Sequence, residues 1–380
     1  MQISRRSLLR GLGLAAAATT AMPSVSHFSF AGVTGTVHPT QGRGPIRLNL
    51  NENAYGPSEK VMAAMREAAN FANRFPDADS EALQGKIASL HAVKPEQVSL
   101  GCGSTEVLRM ATAAFLGPGK KLVLASPTFD AVAHYALAAG AEVVGVPLDK
   151  QYSHDLNAML DRANASAGLV YICNPNNPTG SLTLRKDLET FIRKLPATTH
   201  VVMDEAYHHY VGGSSAYRSF IDRPVDDPRV IVTRTFSKIY GLAGIRIGYA
   251  LAGLQTARRI SAGRLLDGVN VVAAKAAMAA LDDAEYIRTS VQRNADDRQE
   301  FFNQANGRML RVIDSHTNFA MLNTGRPAGE VVEHFRKNNI VVAGGYPSMG
   351  KYIRVSLGRP GDMQEFWRIW DLLPPHKMSM

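Results

Sequence analysis

The residues with the most chemical promise fall between positions 101 and 248. Thr233-Arg234-Thr235-Phe236-Ser237-Lys238 is followed by Gly241-Leu242-Ala243-Gly244-Ile245-Arg246-Ile247-Gly248. The glycines let the chain double back. An amine and a guanidinium can then meet two ends of one small anionic ligand, which the guanidinium of Arg246 could grip bidentately. A lysine near its reference pKa of about 10.4 is a poor base at neutral pH. Burial beside cationic groups would free the amine of Lys238 for that work. Upstream, Asp204-Glu205-Ala206-Tyr207 puts a carboxylate where burial is costly without a partner, and a protonated pyridine nitrogen would be one. Asn174-Pro175-Asn176-Asn177-Pro178-Thr179-Gly180 forces an irregular turn in which an Asn amide can donate to a phenolate oxygen.

Two weaker patterns complete the set. Gly101-Cys102-Gly103-Ser104-Thr105-Glu106 is a glycine turn entering a helix, whose free N–H groups and hydroxyls make a phosphate cradle. Phe129, after Pro127-Thr128, can lie flat against an aromatic ring. Each has a plain reading as well: a serine cap, a core phenylalanine, an aspartate capping a turn, a surface lysine and arginine. Their order along the chain favours the chemical reading.

These patterns need a scaffold that presents strand ends side by side. Short apolar runs at Val98-Ser99-Leu100, Lys121–Ala125, Leu169–Ile172, Val201–Met203 and Val230–Val232 lack alternation, as strands buried on both faces should. Helical patterns at 104–116, 129–139 and 183–194 separate them. The series predicts βαβ units and a mainly parallel sheet flanked by helices, with ligands bound at the carboxyl ends of its strands. Beyond residue 270 the pattern changes: helices near 271–281 and 284–305, strands at Phe319–Leu322 and Tyr352–Val355, and a last helix over 361–373. We expect a large domain over 76–270 and a smaller α+β domain over 271–380. The segment 46–75 contributes to the smaller domain, with Ser58 capping its helix.

The chain has 380 residues, 45% hydrophobic and 20% charged, with a formal charge of +9. Three of those charges are Arg5, Arg6 and Arg10, and residues 1–31 hold no Asp or Glu; without them about +6 remains. With no Lys/Arg cluster, that favours mild attraction to anionic ligands over nucleic-acid binding. Cys102 and Cys173, the only cysteines, offer no disulfide framework and read as small buried residues. Residues 1–31 read as an export signal: Ser4-Arg5-Arg6-Ser7-Leu8-Leu9-Arg10 resembles the twin-arginine motif, an Ala-rich apolar run follows, and Ser29-Phe30-Ala31 suits cleavage. That run is too short for a stable membrane span. A Gly/Pro-rich linker covers 32–45. The expected location is periplasmic or otherwise exported, with the twin-arginine machinery as a transient partner.

Taken together, the motifs resemble the Schiff-base signature of fold-type I pyridoxal-phosphate enzymes. They are most similar to class I/II aminotransferases of the histidinol-phosphate aminotransferase group. The resemblance runs from Leu48-Asn49-Leu50-Asn51-Glu52-Asn53-Ala54-Tyr55-Gly56-Pro57 to Tyr352-Ile353-Arg354-Val355-Ser356-Leu357-Gly358. It implies a pyridoxal 5'-phosphate cofactor linked to Lys238, which also shuttles the substrate's α-proton once displaced. Asp204 would hold the ring nitrogen protonated, and Asn177 and Tyr207 would bond the phenolate oxygen. Gly103, Ser104, Thr105, Thr235, Ser237 and Arg246 would hold the phosphate, with Phe129 stacked on the ring. Asn53, Tyr55, Asn177 and Arg354 would meet the substrate, Arg354 through its α-carboxylate. A homodimer with shared sites is implied, and no metal; His208 and His209 read as loop histidines lining the pocket.

Two departures bear on the substrate. The family's tyrosine in its Arg-Tyr-Pro step, which reaches the neighbouring subunit's cofactor phosphate, is Phe75 here. The arginine that helps its histidinol-phosphate enzymes grip the substrate phosphate is replaced at Ala343, in Asn339-Ile340-Val341-Val342-Ala343-Gly344-Gly345. The expected reaction is ping-pong transfer of an amino group from an ordinary L-amino acid to a 2-oxo acid. The alternatives are histidinol-phosphate transamination, or a decarboxylase, lyase or oxidase on the same scaffold. An exported binding protein without catalysis would have no use for Lys238.

Overall fold

A computed structural model describes residues 44–374 apart from 213–216, 223–226 and 347. The leader expected at 1–31 and nearly all of the linker lie outside the described residues.

Eleven strands run through the described chain: β1 (Ile46–Leu48), β2 (Val98–Gly101), β3 (Lys121–Ser126), β4 (Glu142–Pro147), β5 (Ala167–Cys173), β6 (His200–Asp204), β7 (Val230–Thr235), β8 (Gly248–Ala252), β9 (Phe319–Asn323), β10 (Ile340–Val342) and β11 (Tyr352–Ser356). Seven form one sheet in the order β2-β8-β7-β6-β5-β3-β4. Only β8 runs antiparallel to its neighbours. This is the α/β architecture expected, mainly parallel and flanked by helices.

The absence of alternation in these strands has a direct cause. Along β5, Leu169, Tyr171 and Cys173 enter one apolar cluster while Val170 and Ile172 enter another on the opposite face. Both faces are covered, so both sets of side chains are apolar. The helix Ser104–Phe115 covers the first face, sending Val107, Leu108, Met110 and Ala111 into that cluster.

Smaller pairings complete the fold. β1 joins β10 in parallel, and β9 joins β11 antiparallel. A third apolar cluster, with Leu48, Phe301, Phe335, Phe366 and Trp370, lies around them. Ser58 caps the helix Glu59–Ala68 by accepting from the Val61 N–H. The helix Val271–Leu281, grouped by its sequence pattern with the later elements, packs against Glu59–Ala68 and Asp77–Leu90. Its alanines enter the same cluster as β2 and β6. No helix among the described residues is long and apolar enough to cross a membrane.

Candidate active site

Strand register gathers the phosphate-binding candidates. Thr235, at the end of β7, stands opposite Gly248 of β8, and Gly248 stands opposite Gly101 of β2. Residues distant in sequence therefore share one edge of the sheet. A Cβ on Gly248 would lie 2.8 Å from Ser104 Cα, so only glycine lets the helix Ser104–Phe115 begin this close to the strand. Gly103, its N-cap, has φ 77° and ψ 159°, a region open essentially to glycine alone. A Cβ there would stand 2.8 Å from Cζ of Arg246.

Arg246 itself takes a left-handed backbone conformation, φ 64°. Its Nη1 donates to Ala243 O at 2.8 Å and to Ser237 Oγ at 3.4 Å. The Ser237 N–H donates to Thr235 Oγ1 at 3.1 Å. Guanidinium, hydroxyls and the start of a twelve-residue helix carrying Ser104 and Thr105 are thus brought together. A phosphate matches both the charge and the free N–H groups of that helix start.

Asp204 ends β6, paired with Cys173 of β5 and Thr233 of β7. It is 4% exposed. Its Oδ2 accepts from Tyr171 Oη at 2.8 Å and its Oδ1 from the Ala206 N–H at 3.1 Å. Burial pushes its carboxyl above the usual range, and the Tyr171 bond pulls it back down. Such a carboxylate is suited to a cationic partner.

Lys238 is partly buried, and its Nζ donates to Asn51 O at 3.0 Å. The same nitrogen lies 5.4 Å from the Tyr207 ring centroid. Burial, then the charge of Arg354, depress the amine to about 8, while Glu52 and Asp204 act the other way. Tyr207 Oη accepts from Asn51 Nδ2 at 3.0 Å, and burial raises its phenol above the usual range. Arg354 Nη1 donates to Asn177 Oδ1, and its Nη2 donates to Asn49 O at 2.6 Å. Phe129, after β3, is half-buried against the apolar face that holds Tyr171 and Cys173.

Not every candidate points its polar atoms at this centre. Asn53 Nδ2 donates to Ile239 O at 2.9 Å, fastening the N-terminal segment to the loop after Lys238. Tyr55 Oη donates to Asp297 Oδ2 at 2.9 Å, on the long helix Ala284–Gly307. His208 contacts Arg234, which forms a buried ion pair with Glu205 at 2.9 Å. His209 meets Tyr240 at 3.3 Å. These histidines therefore sit against the Glu205–Arg234 pair. Cys102 is half-exposed in its turn, and only Cys173 is buried; the expectation that both are buried fails because residue 102 lies between two glycines outside the strand. Among the described residues, no three His, Cys, Asp or Glu side chains converge to hold a metal ion.

Two residues of this centre escape sequence reading. Asn51 reaches both Tyr207 and Lys238 from a left-handed backbone, φ 54°. An asparagine tolerates that conformation, but one asparagine among three in the ten-residue stretch from Leu48 to Pro57 carries no sign of it. Tyr171 is a polar tip inside an apolar strand, and that was its only signal.

The donor set fits pyridoxal phosphate. There is an amine for the aldehyde, a buried carboxylate for a ring nitrogen, and a cradle beside Arg246 that any side chain at position 103 would fill.

Comparison with known proteins agrees. The family model for aminotransferase class I and II matches residues 43–368. Histidinol-phosphate aminotransferase 2 of Carboxydothermus hydrogenoformans is 37% identical over 316 residues, 83% of this chain and 87% of that protein. The histidinol-phosphate aminotransferase of Caldicellulosiruptor saccharolyticus is 36% identical over 322 residues, 84% and 89% of the two chains. The crystal structure of histidinol-phosphate aminotransferase from Sinorhizobium meliloti in complex with pyridoxal-5'-phosphate superposes with a TM-score of 0.81 at 28% identity, covering 87% of this chain and 92% of that one. The chain belongs to the class I and II aminotransferases, pyridoxal-phosphate-dependent enzymes of fold type I.

Proposed function

We propose that this aminotransferase takes an ordinary L-amino acid as donor, holds its α-carboxylate on Arg354, passes the amino group to a 2-oxo acid, and is not specialised for histidinol phosphate. The observation that carries the reading is the pairing of Arg354 with Ala343. Their backbones bridge antiparallel, with Ala343 N donating to Arg354 O at 3.1 Å and Arg354 N donating to Ala343 O at 2.8 Å. Residues paired in this way stand side by side, so a second cation at 343 would flank the guanidinium. A methyl group stands there instead. One guanidinium matches a carboxylate monoanion better than a phosphate dianion.

When bound, pyridoxal phosphate supplies an aldehyde for the substrate amine and a ring that accepts the electron pair left at the α-carbon. The protein's part is orientation and proton handling. Arg246, Ser104, Thr105, Thr235 and Ser237 hold the phosphate, and Phe129 covers the ring. Asp204 keeps a proton at the ring nitrogen, while Asn177 and Tyr207 donate toward the phenolate oxygen. Lys238 would hold the aldehyde end of the cofactor and supply the amine that takes the donor's α-proton and returns it.

The test is a panel of L-amino acids and histidinol phosphate, each with 2-oxoglutarate and without it. The reading requires acceptor-dependent turnover of at least one amino acid with kcat/KM above that for histidinol phosphate. Preference for histidinol phosphate, the activity named in the relatives, would sink the substrate assignment. Turnover without an acceptor would replace transamination with another bond cleavage.

Two further parts of the reading concern context. The chain acts as a homodimer, with the segment around Phe75 as an interface. In support, Phe75 is 80% and Leu266 87% exposed, and their neighbours Pro76 and Asp267 line one shared hollow. Large apolar side chains bared together mark an interaction surface. A fully active monomer in sedimentation would refute this. The protein is exported by the twin-arginine route, on the strength of Arg5, Arg6 and the apolar run after them. Replacing Arg5 and Arg6 together by lysine should leave the protein in the cytoplasmic fraction; unchanged fractionation would refute the assignment.

A further inference from the structure

The buried Tyr171 hydroxyl donates to Asp204 Oδ2 at 2.8 Å, and the Thr233 hydroxyl on the neighbouring strand acts on the same carboxylate more weakly. The Tyr171 side chain is fully buried. Strand register explains the contact. Cys173 of β5 pairs with Asp204 of β6, and Tyr171 with Val202. Residues two apart on a strand share a face, so Tyr171 and Asp204 lie on the same side of the sheet. A phenylalanine there would fill the same apolar space, in the cluster with Leu169, Val202 and Ile231. The hydroxyl is therefore not explained by packing.

We propose that Tyr171 is a positioning residue for the cofactor: its hydroxyl fixes the rotation of the Asp204 carboxylate and keeps it anionic, so that Asp204 holds a proton on the ring nitrogen instead of taking one itself. This rests on the assignment of Asp204 to the ring nitrogen made above. The geometry divides the labour. Oδ1 takes the Ala206 N–H and Oδ2 takes Tyr171, and each oxygen keeps a second lone pair for a further donor. Burial acts against the anion, and the hydroxyl acts for it. Without that bond the desolvated carboxyl would hold its own proton more tightly. A protonated carboxyl can donate to a neutral pyridine nitrogen but cannot stabilise a pyridinium.

The experiment measures equilibrium binding of pyridoxal phosphate and of its 1-deaza analogue, which carries carbon in place of the ring nitrogen. Four full-length proteins are compared: wild type, Tyr171→Phe, Asp204→Asn and the double variant. Tyr171→Phe should weaken pyridoxal phosphate by about tenfold or more, the scale of one hydrogen bond to a charged group. It should leave the deaza analogue unchanged and add nothing in the Asp204→Asn background. In parallel, the pH midpoint of the bound cofactor's visible absorbance should rise in Tyr171→Phe, because the ring carries less positive charge. A fluorotyrosine at position 171 keeps the ring and strengthens the donor. It should move that midpoint downward, which preserves the test if the phenylalanine variant folds poorly.

Equal losses for both ligands, or an undiminished loss in the Asp204→Asn background, would mean a packing defect and overturn the proposal. Unchanged affinity and midpoint would overturn it too. If Asp204→Asn itself fails to discriminate between the two ligands, the ring-nitrogen assignment falls, and the role of Tyr171 falls with it.

Discussion

Replacing Gly103 by alanine should separate the stability of this protein from its grip on the cofactor. Two effects are expected, and they report in different assays. The backbone at Gly103, φ 77° and ψ 159°, is strained for any L side chain by about 1–3 kcal/mol. That cost falls on the folded protein whether or not cofactor is present, so it appears as a lower melting temperature of the cofactor-free enzyme. The second effect is steric. The new Cβ would stand 2.8 Å from Arg246 Cζ, whereas heavy atoms in contact sit about 3.5–4.0 Å apart. The guanidinium must retreat by roughly 1 Å, enough to break a bidentate contact. Losing one or two charge-assisted hydrogen bonds costs about 2–4 kcal/mol, or roughly 30- to 700-fold in cofactor affinity. Equilibrium dialysis of pyridoxal phosphate against wild type and Gly103→Ala reads that number. A variant that melts earlier yet binds cofactor within twofold of wild type would show that Arg246 does not hold the phosphate.

Other perturbations bear on the rest of the centre. Capture of pyridoxal phosphate by the cofactor-free enzyme, followed by visible absorbance, should accelerate as pH rises and reach half its plateau near 8, where the Lys238 amine titrates; a half-point near the ordinary lysine value of about 10.4 would remove the role of burial and Arg354. Arg354→Lys should raise KM for the amino donor by about 10- to 100-fold with cofactor affinity unchanged, because a point charge cannot replace a planar fork. Steady-state kinetics check this, and an unaltered KM would mean that the carboxylate binds elsewhere. Asn51→Ala removes the bonds to Tyr207 Oη and Ser356 Oγ and should cost about 1–3 kcal/mol in denaturant unfolding; a loss under 0.5 kcal/mol would deny Asn51 its place as a tie between segments.

The parts of this fold that were legible in the sequence share one property: their buried environment is uniform. β5, β6 and β7 are covered on both faces, so unbroken apolar runs announce them, and their ends carry Asn174, Asp204 and Thr235. The two strands that escaped notice did so for different reasons, since β8 is as fully buried as β5. β4 is largely open to solvent, with Glu142, Gly145 and Pro147 exposed, and β8 follows directly on the glycine-rich loop and reads as part of it. At the site, residues announced by motif, such as Lys238 and Arg246, are near one another because register makes them so. Asn51 and Tyr171 were missed because their roles depend on partners 156 and 33 residues away. Tyr55 shows the converse: a motif residue whose hydroxyl is drawn to Asp297, more than two hundred residues on.

The charges around Lys238 have a consequence for its chemistry. Arg354 and Arg246 both depress the amine, and on the reading proposed above one binds a carboxylate and the other a phosphate. An anion seated on either guanidinium offsets that cation's field at Lys238, and the offset is strong because the centre is partly desolvated. The amine should therefore be least basic when the anion sites are unfilled and more basic once both are filled. That order suits the two tasks of the same nitrogen. As a nucleophile toward an aldehyde it must be unprotonated near neutral pH. As the base that removes an α-proton it works best with a pKa near the operating pH, so only a small rise from about 8 can strengthen it while leaving it unprotonated often enough to act. The guanidinium groups proposed to hold the ligands thus also tune the basicity of the lysine.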